Sequence, residues 1–194
     1  YPASMTKIMT ALLTIENLPD LNETITVPED IFEELTAQDA SVAGFNPYEQ
    51  PTVRDLLYGV LLPSGADACE TLARAVGGSE EGFVAMMNQK AEELGLTNTH
   101  FENCTGLHND NHYSTCRDIA VLMSECLKSD TFREIVTREV YTTEATASHP
   151  EGITLYDTML HRFTSYEMST TLENGAVIEG GKTGFTDEAG QCLV

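Results

Sequence analysis

The amino-acid sequence predicts an α+β fold in which a cluster of helices packs on an antiparallel sheet. Two patterns predict it. Apolar residues recur at helical spacing through the first two-thirds of the chain, and β-branched, alternating segments follow after about residue 136. Helices and strands are therefore segregated along the chain, which argues against a parallel βαβ sheet. The length of 194 residues, without an internal repeat, fits one domain.

Five helices are predicted where apolar residues recur every three or four positions between capping residues, glycines and prolines. They are expected at about 4–18, 52–62, 68–77, 79–95 and 115–127. Thr52 is a capping residue for the second helix, and Pro63-Ser64-Gly65 separates that helix from the third. Ser64 is thus expected at a break between two helices.

Six short β-branched segments predict strands, which are expected at 25–27, 136–143, 153–155, 176–178, 182–186 and 191–194. The segment Asp187-Glu188-Ala189-Gly190 joins the last two as a hairpin. Residues 46–51 are expected to form a loop because prolines interrupt them. The last strand presents an apolar edge and no strand precedes the first helix, so the sheet is expected to be incomplete.

The strong negative charge excludes one class of partner. Ten Lys and Arg residues against 31 Asp and Glu residues give a formal net charge of -21. Such a field repels phosphate backbones, so we expect no nucleic-acid partner. No apolar run approaches the roughly 20 residues of a membrane-spanning helix, and we expect membrane attachment only through a segment outside this chain.

Cysteine spacing argues against two further classes of site. The five cysteines form no Cys-x-x-Cys pair, so neither a zinc ribbon nor a thioredoxin-type redox pair is predicted. Cys69 and Cys126 lie in apolar helical patterns, where a free cysteine packs as a small hydrophobe. We therefore expect no disulfide framework, no metal and no cofactor.

Three short motifs carry the chemistry: Ser4-Met5-Thr6-Lys7, Ser64-Gly65-Ala66 and Lys182-Thr183-Gly184. Residues three apart share a helix face, so Lys7 can reach the hydroxyl of Ser4 and act as its base. To accept that proton near neutral pH, the pKa of Lys7 must fall by roughly three units, which costs about 4 kcal/mol. Burial of Lys7 and a nearby charge on Lys182 would both act in that direction.

This motif set is typical of class A β-lactamases and penicillin-binding proteins. The chain resembles the catalytic domain of serine-type D-alanyl-D-alanine carboxypeptidases, the low-molecular-mass penicillin-binding proteins of peptidase family S11. The resemblance rests on five blocks in family order, at 2–10, 61–65, 101–107, 112–115 and 181–186. It implies a β-lactamase/transpeptidase-like fold. Because the family's first strands and its closing strand and helix have no counterpart here, residues 1–194 are expected to be a partial catalytic domain.

The resemblance also implies roles for individual residues. Ser4 would attack the peptide bond between two D-alanines, Lys7 would be its base, and Ser64 would relay a proton to the leaving amine. The remaining candidates would bind substrate: Lys182, Thr183, Gly184 and Phe185. Among these, Lys182 and Thr183 would hold the terminal carboxylate, and the N–H groups of Ser4 and Phe185 would form the oxyanion hole.

The partners and location follow from the same resemblance. The substrate would be a peptidoglycan stem peptide that loses its terminal D-alanine, and β-lactam antibiotics would acylate Ser4 as mimics of that terminus. Such an enzyme is extracytoplasmic, secreted and anchored to the membrane by a segment outside this chain.

One position departs from the family. Its second motif is usually Ser-x-Asn, but Ala66 occupies the third position here. That amide normally holds the nucleophile's lysine and the substrate's carbonyl, so we expect slowed but surviving acylation, with a donor such as Asn103 taking over. A non-enzymatic peptidoglycan-binding relative is therefore an alternative.

Two other hydrolases remain as alternatives. A class A β-lactamase needs a deacylating glutamate in a Glu-x-x-Leu-Asn type signature before the Lys-Thr-Gly strand, and this sequence has none. A zinc carboxypeptidase would need ligands such as His108 and His112. The residues between these histidines indicate a loop, and we favour loop histidines over a metal site.

Overall fold

The computed structural model describes residues 1–194. A 3₁₀ turn at Ala3–Thr6 leads directly into the first helix. The α-helices are α1 Lys7–Asn17, α2 Ile31–Ala37, α3 Val53–Leu61, α4 Ala66–Gly77, α5 Glu80–Glu93, α6 Cys116–Cys126, α7 Asp130–Val136 and α8 Leu160–Ser165. The strands are β1 Val140–Thr142, β2 Thr154–Tyr156, β3 Thr183–Thr186 and β4 Gly190–Leu193.

Helix α1 lies at the centre of the core. It contacts α3, α4, α5, α6 and α7, and every residue from 7 to 14 is buried. Its apolar residues account for most of that burial, and its two buried threonines are satisfied by backbone carbonyls. Thr10 donates to Cys104 O at 2.6 Å and Thr14 donates to Thr10 O at 2.8 Å. The start of α1, with its serine and lysine, is thereby held rigidly by the surrounding helices.

The predicted helix starts are confirmed by their caps. Thr52 accepts a hydrogen bond from the N–H of Asp55 at 3.1 Å, and the Asp55 carboxylate accepts one from the N–H of Thr52 at 3.2 Å. Ser79 caps α5 and Thr115 caps α6 in the same side-chain-to-backbone manner. Each cap satisfies an N–H that the first helical turn leaves unpaired.

The strands pair antiparallel, as predicted, but they form two separate two-stranded sheets, β1–β2 and β3–β4. The predicted strand at 136–143 is shorter, since Val136 ends α7 and only Val140–Thr142 is extended into a ladder. The strand expected at 176–178 is wrong and forms a single bridge, between Thr171 and Val177. The predicted hairpin at 187–190 is confirmed, with β3 and β4 on either side of it.

The strand expected at 25–27 is also wrong. Ile25 and Val27 donate to Pro51 O and Glu49 O, at 3.0 and 2.9 Å, but no regular ladder forms. Pro51 has no N–H to return, so the ladder is interrupted there, and beyond it only an isolated bridge between Thr24 and Thr52 forms. Helices α2, α7 and α8 were not predicted, because six or seven residues are too few to establish a helical period.

All five cysteines are free, and Cys69 and Cys126 are buried, as expected from their apolar surroundings. None of the helices combines the length and the apolar character that crossing a bilayer requires.

Candidate active site

Ser4 and Lys7 lie at the junction of the 3₁₀ turn and α1. In a 3₁₀ turn, residues three apart lie directly above one another, so the two side chains project from the same side. Lys7 Nζ lies 3.0 Å from Ser4 Oγ. Ala3, immediately before the serine, has a φ of 47°, which sets the serine on a sharp bend. The predicted nucleophile and base are therefore in direct contact.

The amine of Lys7 is removed from water. Its side chain is 3% exposed, and Nζ donates to the backbone carbonyl of Thr105 at 2.6 Å. Burial lowers the pKa of Lys7, because the charged form loses its hydration. Charges on Cys69, Cys104 and Asp67 would oppose this shift, but burial raises the pKa of the Cys69 thiol to about 12, so that thiol stays protonated at neutral pH. The geometry favours an uncharged amine beside the serine hydroxyl.

Ser64 and Lys182 form a second pair. Ser64 occupies the turn between α3 and α4 with a φ of 66°, and Lys182 precedes β3. Lys182 Nζ donates to Ser64 Oγ at 3.0 Å and to Thr183 O at 2.8 Å. Burial, and then the charge of Lys7, lower the pKa of Lys182 to about 7, while Asp157 opposes the shift. This influence runs from Lys7 to Lys182: for Lys7 itself burial is the cause of the lowered pKa, and the expected effect of Lys182 on it stays a prediction.

Strand β3 brings the substrate-binding candidates against the nucleophile. A side chain at Gly184 would place its Cβ 2.9 Å from Ser4 N, so only glycine allows this approach. The Thr183 hydroxyl lies 2.5 Å from the hydroxyl of Thr158, and Phe185 is 57% exposed at the mouth of the site. All seven residues selected from the sequence therefore belong to one region of the molecule.

A cavity of about 70 Å³ adjoins the Ser4–Lys7 pair. Its wall includes Ala66, Phe185 and the two segments 39–41 and 105–107. The methyl group of Ala66 offers no hydrogen-bond partner, so the acceptors of Lys7 are Ser4 and the Thr105 carbonyl. This small polar space is open to a ligand that reaches the serine.

Comparison with known protein families matches residues 1–194 to Peptidase_S11, the D-alanyl-D-alanine carboxypeptidase family. The chain belongs to this family. Together with the site geometry, this match confirms the resemblance found in the sequence and the fold class it implies.

Curated relatives of this carboxypeptidase-family chain carry the same description. The D-alanyl-D-alanine carboxypeptidase DacF of Bacillus subtilis is 36% identical over 193 residues, which are 99% of this chain and 46% of the relative. A D-alanyl-D-alanine carboxypeptidase of Streptomyces sp. strain K15 is 37% identical over 199 residues, 98% of this chain and 66% of the relative. The chain thus spans about half to two-thirds of these relatives.

Solved structures agree with the family fold. The crystal structure of the Streptomyces K15 DD-transpeptidase superimposes with a TM-score of 0.84 at 34% identity, and the match covers 100% of this chain and 74% of that one. Penicillin-binding protein 6B from Escherichia coli superimposes with a TM-score of 0.80 at 29% identity, covering 98% of this chain and 57% of that one.

The histidines considered as zinc ligands do not converge in this family member. His112 Nε2 bonds the Thr6 hydroxyl at 2.8 Å, and His112 Nδ1 accepts the N–H of Glu102 at 3.1 Å. Both of its ring nitrogens are therefore occupied by protein groups. His108 lies instead beside the carboxylates of Asp110 and Glu188. His112 is therefore a buried structural histidine, and His108 is a loop histidine.

Sequence reasoning missed several groups around the site. Asn103, the expected substitute donor, bonds only its own loop and does not contact Lys7. The Thr105 carbonyl contacts Lys7 instead, and a backbone acceptor leaves no mark in the sequence. Two further groups were missed because they follow a strand-like segment that carries no motif. The charge of Asp157 opposes the lowering of the pKa of Lys182 by burial, and the hydroxyl of Thr158 contacts that of Thr183.

Proposed function

We propose that this chain forms the catalytic site of a serine D-alanyl-D-alanine carboxypeptidase that removes the terminal D-alanine from peptidoglycan pentapeptides. The observation that carries the proposal is the 3.0 Å contact between the buried Lys7 amine and Ser4 Oγ. A nucleophile that touches a base withdrawn from water is the minimum that acyl transfer requires. Family membership supplies the substrate class, and the site chemistry is consistent with it.

Acylation begins at Ser4. Lys7 in its neutral form accepts the hydroxyl proton as Ser4 Oγ bonds the carbonyl carbon between the two D-alanines. Lys182 and Val194 exchange both backbone hydrogen bonds, so the alternation of an antiparallel ladder leaves Phe185 in a non-hydrogen-bonded pair with Gln191. The Phe185 N–H therefore points away from β4. With the N–H of Ser4 it would bind the oxyanion, at roughly 3–4 kcal/mol per donor.

Ser64 and Lys182 serve the second half of acylation. The carbon–nitrogen bond breaks as the proton that Lys7 took from Ser4 passes through the Ser64 hydroxyl to the leaving nitrogen, which departs as free D-alanine and leaves Lys7 neutral. The Lys182 amine, 3.0 Å from Ser64 Oγ, is placed to support that transfer. A water then attacks the acyl carbon and gives a proton to Lys7. That proton passes from Lys7 to Ser4 Oγ as the bond between Ser4 Oγ and the acyl carbon breaks and the shortened peptide leaves.

The terminal carboxylate of the substrate would be held near Lys182 and Thr183. With a pKa of about 7, Lys182 is partly charged at neutral pH, and an approaching carboxylate would favour its protonated form. This local positive charge matters in a chain whose net charge is -21. Penicillins share the carboxylate and the reactive amide, so they would acylate Ser4. The stem peptide places the enzyme outside the cytoplasm, and a segment beyond this chain would anchor it to the membrane.

A second candidate is a weakened relative that binds peptidoglycan or penicillin with little turnover. Ala66 favours it, because the position beside Lys7 has no polar atom. The intact Ser4–Lys7 contact favours the enzyme, since binding alone needs no nucleophile paired with a base.

The test is acylation by labelled penicillin, followed by mass spectrometry of the intact protein and of its peptides. We expect one adduct on Ser4 and release of D-alanine from a pentapeptide. Ser4→Ala and Lys7→Met abolish both, whereas the matched control Lys128→Met, on an exposed lysine, retains both. An adduct that persists in Ser4→Ala contradicts the mechanism. Acylation of Ser4 without D-alanine release favours the weakened relative, and rapid turnover of the lactam favours a β-lactamase.

A further inference from the structure

The orientation of Lys7 depends on one backbone carbonyl. Lys7 Nζ contacts Ser4 Oγ and donates to Thr105 O, and the neighbouring Ala66 side chain contributes no acceptor. A neutral amine has two hydrogens and one lone pair. When one hydrogen is fixed on the Thr105 carbonyl, the lone pair can face the Ser4 hydroxyl, which is the direction that proton transfer requires.

The Thr105 carbonyl is in turn held by the side chain of Asn103. Asn103 Oδ1 accepts the N–H of Gly106 at 2.7 Å, and both the N–H and the hydroxyl of Thr105 at 3.2 Å. Its Nδ2 donates to the carbonyl of Leu107 at 2.9 Å. One amide therefore closes the turn from 103 to 107 with four hydrogen bonds and fixes the plane of the peptide that carries the Thr105 carbonyl.

The same turn is pressed against the nucleophile. Gly106 has a φ of 84°, and a Cβ placed on it would lie 1.9 Å from Ala3 O and 2.9 Å from Thr6 Oγ1. The turn thus contacts the residues on both sides of Ser4. A displacement of a few tenths of an ångström in this turn changes the setting of the base and of the serine together.

We propose that Asn103 is a positioning residue that aims the Lys7 amine at Ser4 by holding the Thr105 carbonyl. The inference rests on the proposed function for its catalytic consequence, but the orientation of Lys7 can be measured without turnover. It also gives a way in which Lys7 can be oriented with alanine at position 66: the amine takes its second partner from the backbone, and Asn103 makes that partner rigid.

The experiment compares Asn103→Ala with Asn88→Ala. Asn88 is a matched control, because its amide also bonds this part of the chain, bridging the N–H and the carbonyl of Phe101 at 2.9 and 2.8 Å. It does not contact Thr105 or Gly106. Both variants lose amide-to-backbone bonds, but only Asn103→Ala releases the carbonyl that binds Lys7.

Two readouts are used on the full protein. The first is the pH titration of lysine side chains followed by NMR with labelled lysine, which is tractable because the chain has four lysines. We expect Asn103→Ala to raise the pKa of Lys7 towards its ordinary value, by about one unit, as water reaches the loosened amine. The second is the acylation rate constant with penicillin, which we expect to fall at least about tenfold with unchanged initial binding. Asn88→Ala should leave the pKa of Lys7 unchanged and should change the acylation rate constant by less than about twofold.

A double variant makes the test specific. Ala66→Asn adds a side-chain acceptor beside Lys7. As a single variant it should raise the acylation rate constant, and combined with Asn103→Ala it should restore most of the rate that Asn103→Ala loses. Asn103→Asp keeps the three accepting contacts and should acylate faster than Asn103→Ala.

An unmoved Lys7 titration in Asn103→Ala overturns the proposal, as do equal losses in the Asn103 and Asn88 variants. If Lys7 titrates as expected but the unmodified protein forms no Ser4 adduct, the positioning role stands and the proposed function fails.

Discussion

Two buried titratable groups, His112 and Glu70, make the free energy of unfolding of this chain depend on pH in opposite directions. The side chain of His112 is 2% exposed, and its Nδ1 must stay unprotonated to accept the N–H of Glu102. Burial lowers the pKa of His112 to about 4. Glu70 is 7% exposed, and burial, followed by the charge of Glu80, raises its pKa to about 7.

The sign differs for the two groups. Between about pH 6.5 and 4, the unfolded chain protonates His112 but the folded chain does not, so the free energy of unfolding falls as the pH falls. Between about pH 7 and 4.5, the folded chain keeps a proton on Glu70 that the unfolded chain releases, so the free energy of unfolding rises as the pH falls. Each shift of about 2.5 pKa units is worth about 3 kcal/mol, and in the intact protein the two largely cancel.

Urea unfolding at several pH values between 4.5 and 7 exposes each contribution. Relative to the unmodified chain, His112→Gln should gain about 3 kcal/mol on going from pH 7 to pH 4.5, and Glu70→Gln should lose about as much. The packing cost of either substitution does not depend on pH, so it cancels when the stabilities at the two pH values are compared. Stability differences that do not change with pH in both variants would refute the reasoning, because neither group would then carry a shifted pKa.

Two further predictions concern the site. Gly106→Ala should lower the melting temperature by about 6 °C or more, since its Cβ would overlap Ala3 O. The control Gly175→Ala, with a similar φ of 83° but open space around it, should lower the melting temperature far less. Equal effects of the two variants in a thermal melt would contradict this. Lys182, with a pKa of about 7 when folded, should make the free energy of unfolding rise by about 4 kcal/mol from pH 7 to pH 10, and Lys182→Met should lose that rise. Urea unfolding checks it, and an unchanged slope in the variant would show that Lys182 is not desolvated.

Local chemistry explains which elements were predictable. Thr52, Ser79 and Thr115 cap their helices through contacts with residues three positions ahead, and those contacts lie within the sequence pattern itself. The strand expected at 25–27 failed because its outcome depended on a distant partner, and Pro51 interrupts the ladder in that partner. The two-sheet arrangement likewise depends on which segments meet in space.

The candidate site divides in the same way. The contact between Ser4 and Lys7 follows from their spacing, because residues three apart in one helical turn bring their side chains together. The pair was selected as a candidate site because the other two motifs accompany it. The pairing of Lys182 with Ser64 joins residues 118 positions apart, and the sequence did not predict it. Neither pair indicates in the sequence that Lys7 donates to the Thr105 carbonyl, or that Asn103 holds the turn that carries it.

The sequence by itself determined the Ser4–Lys7 pair, the helical first two-thirds and the closing hairpin, since each is encoded over a few residues. Only the tertiary structure decided how far the two lysines are withdrawn from water and which carbonyl orients Lys7. Desolvation and backbone acceptors arise from everything packed around a group, and α1 acquires that environment from helices and loops spread over most of the chain.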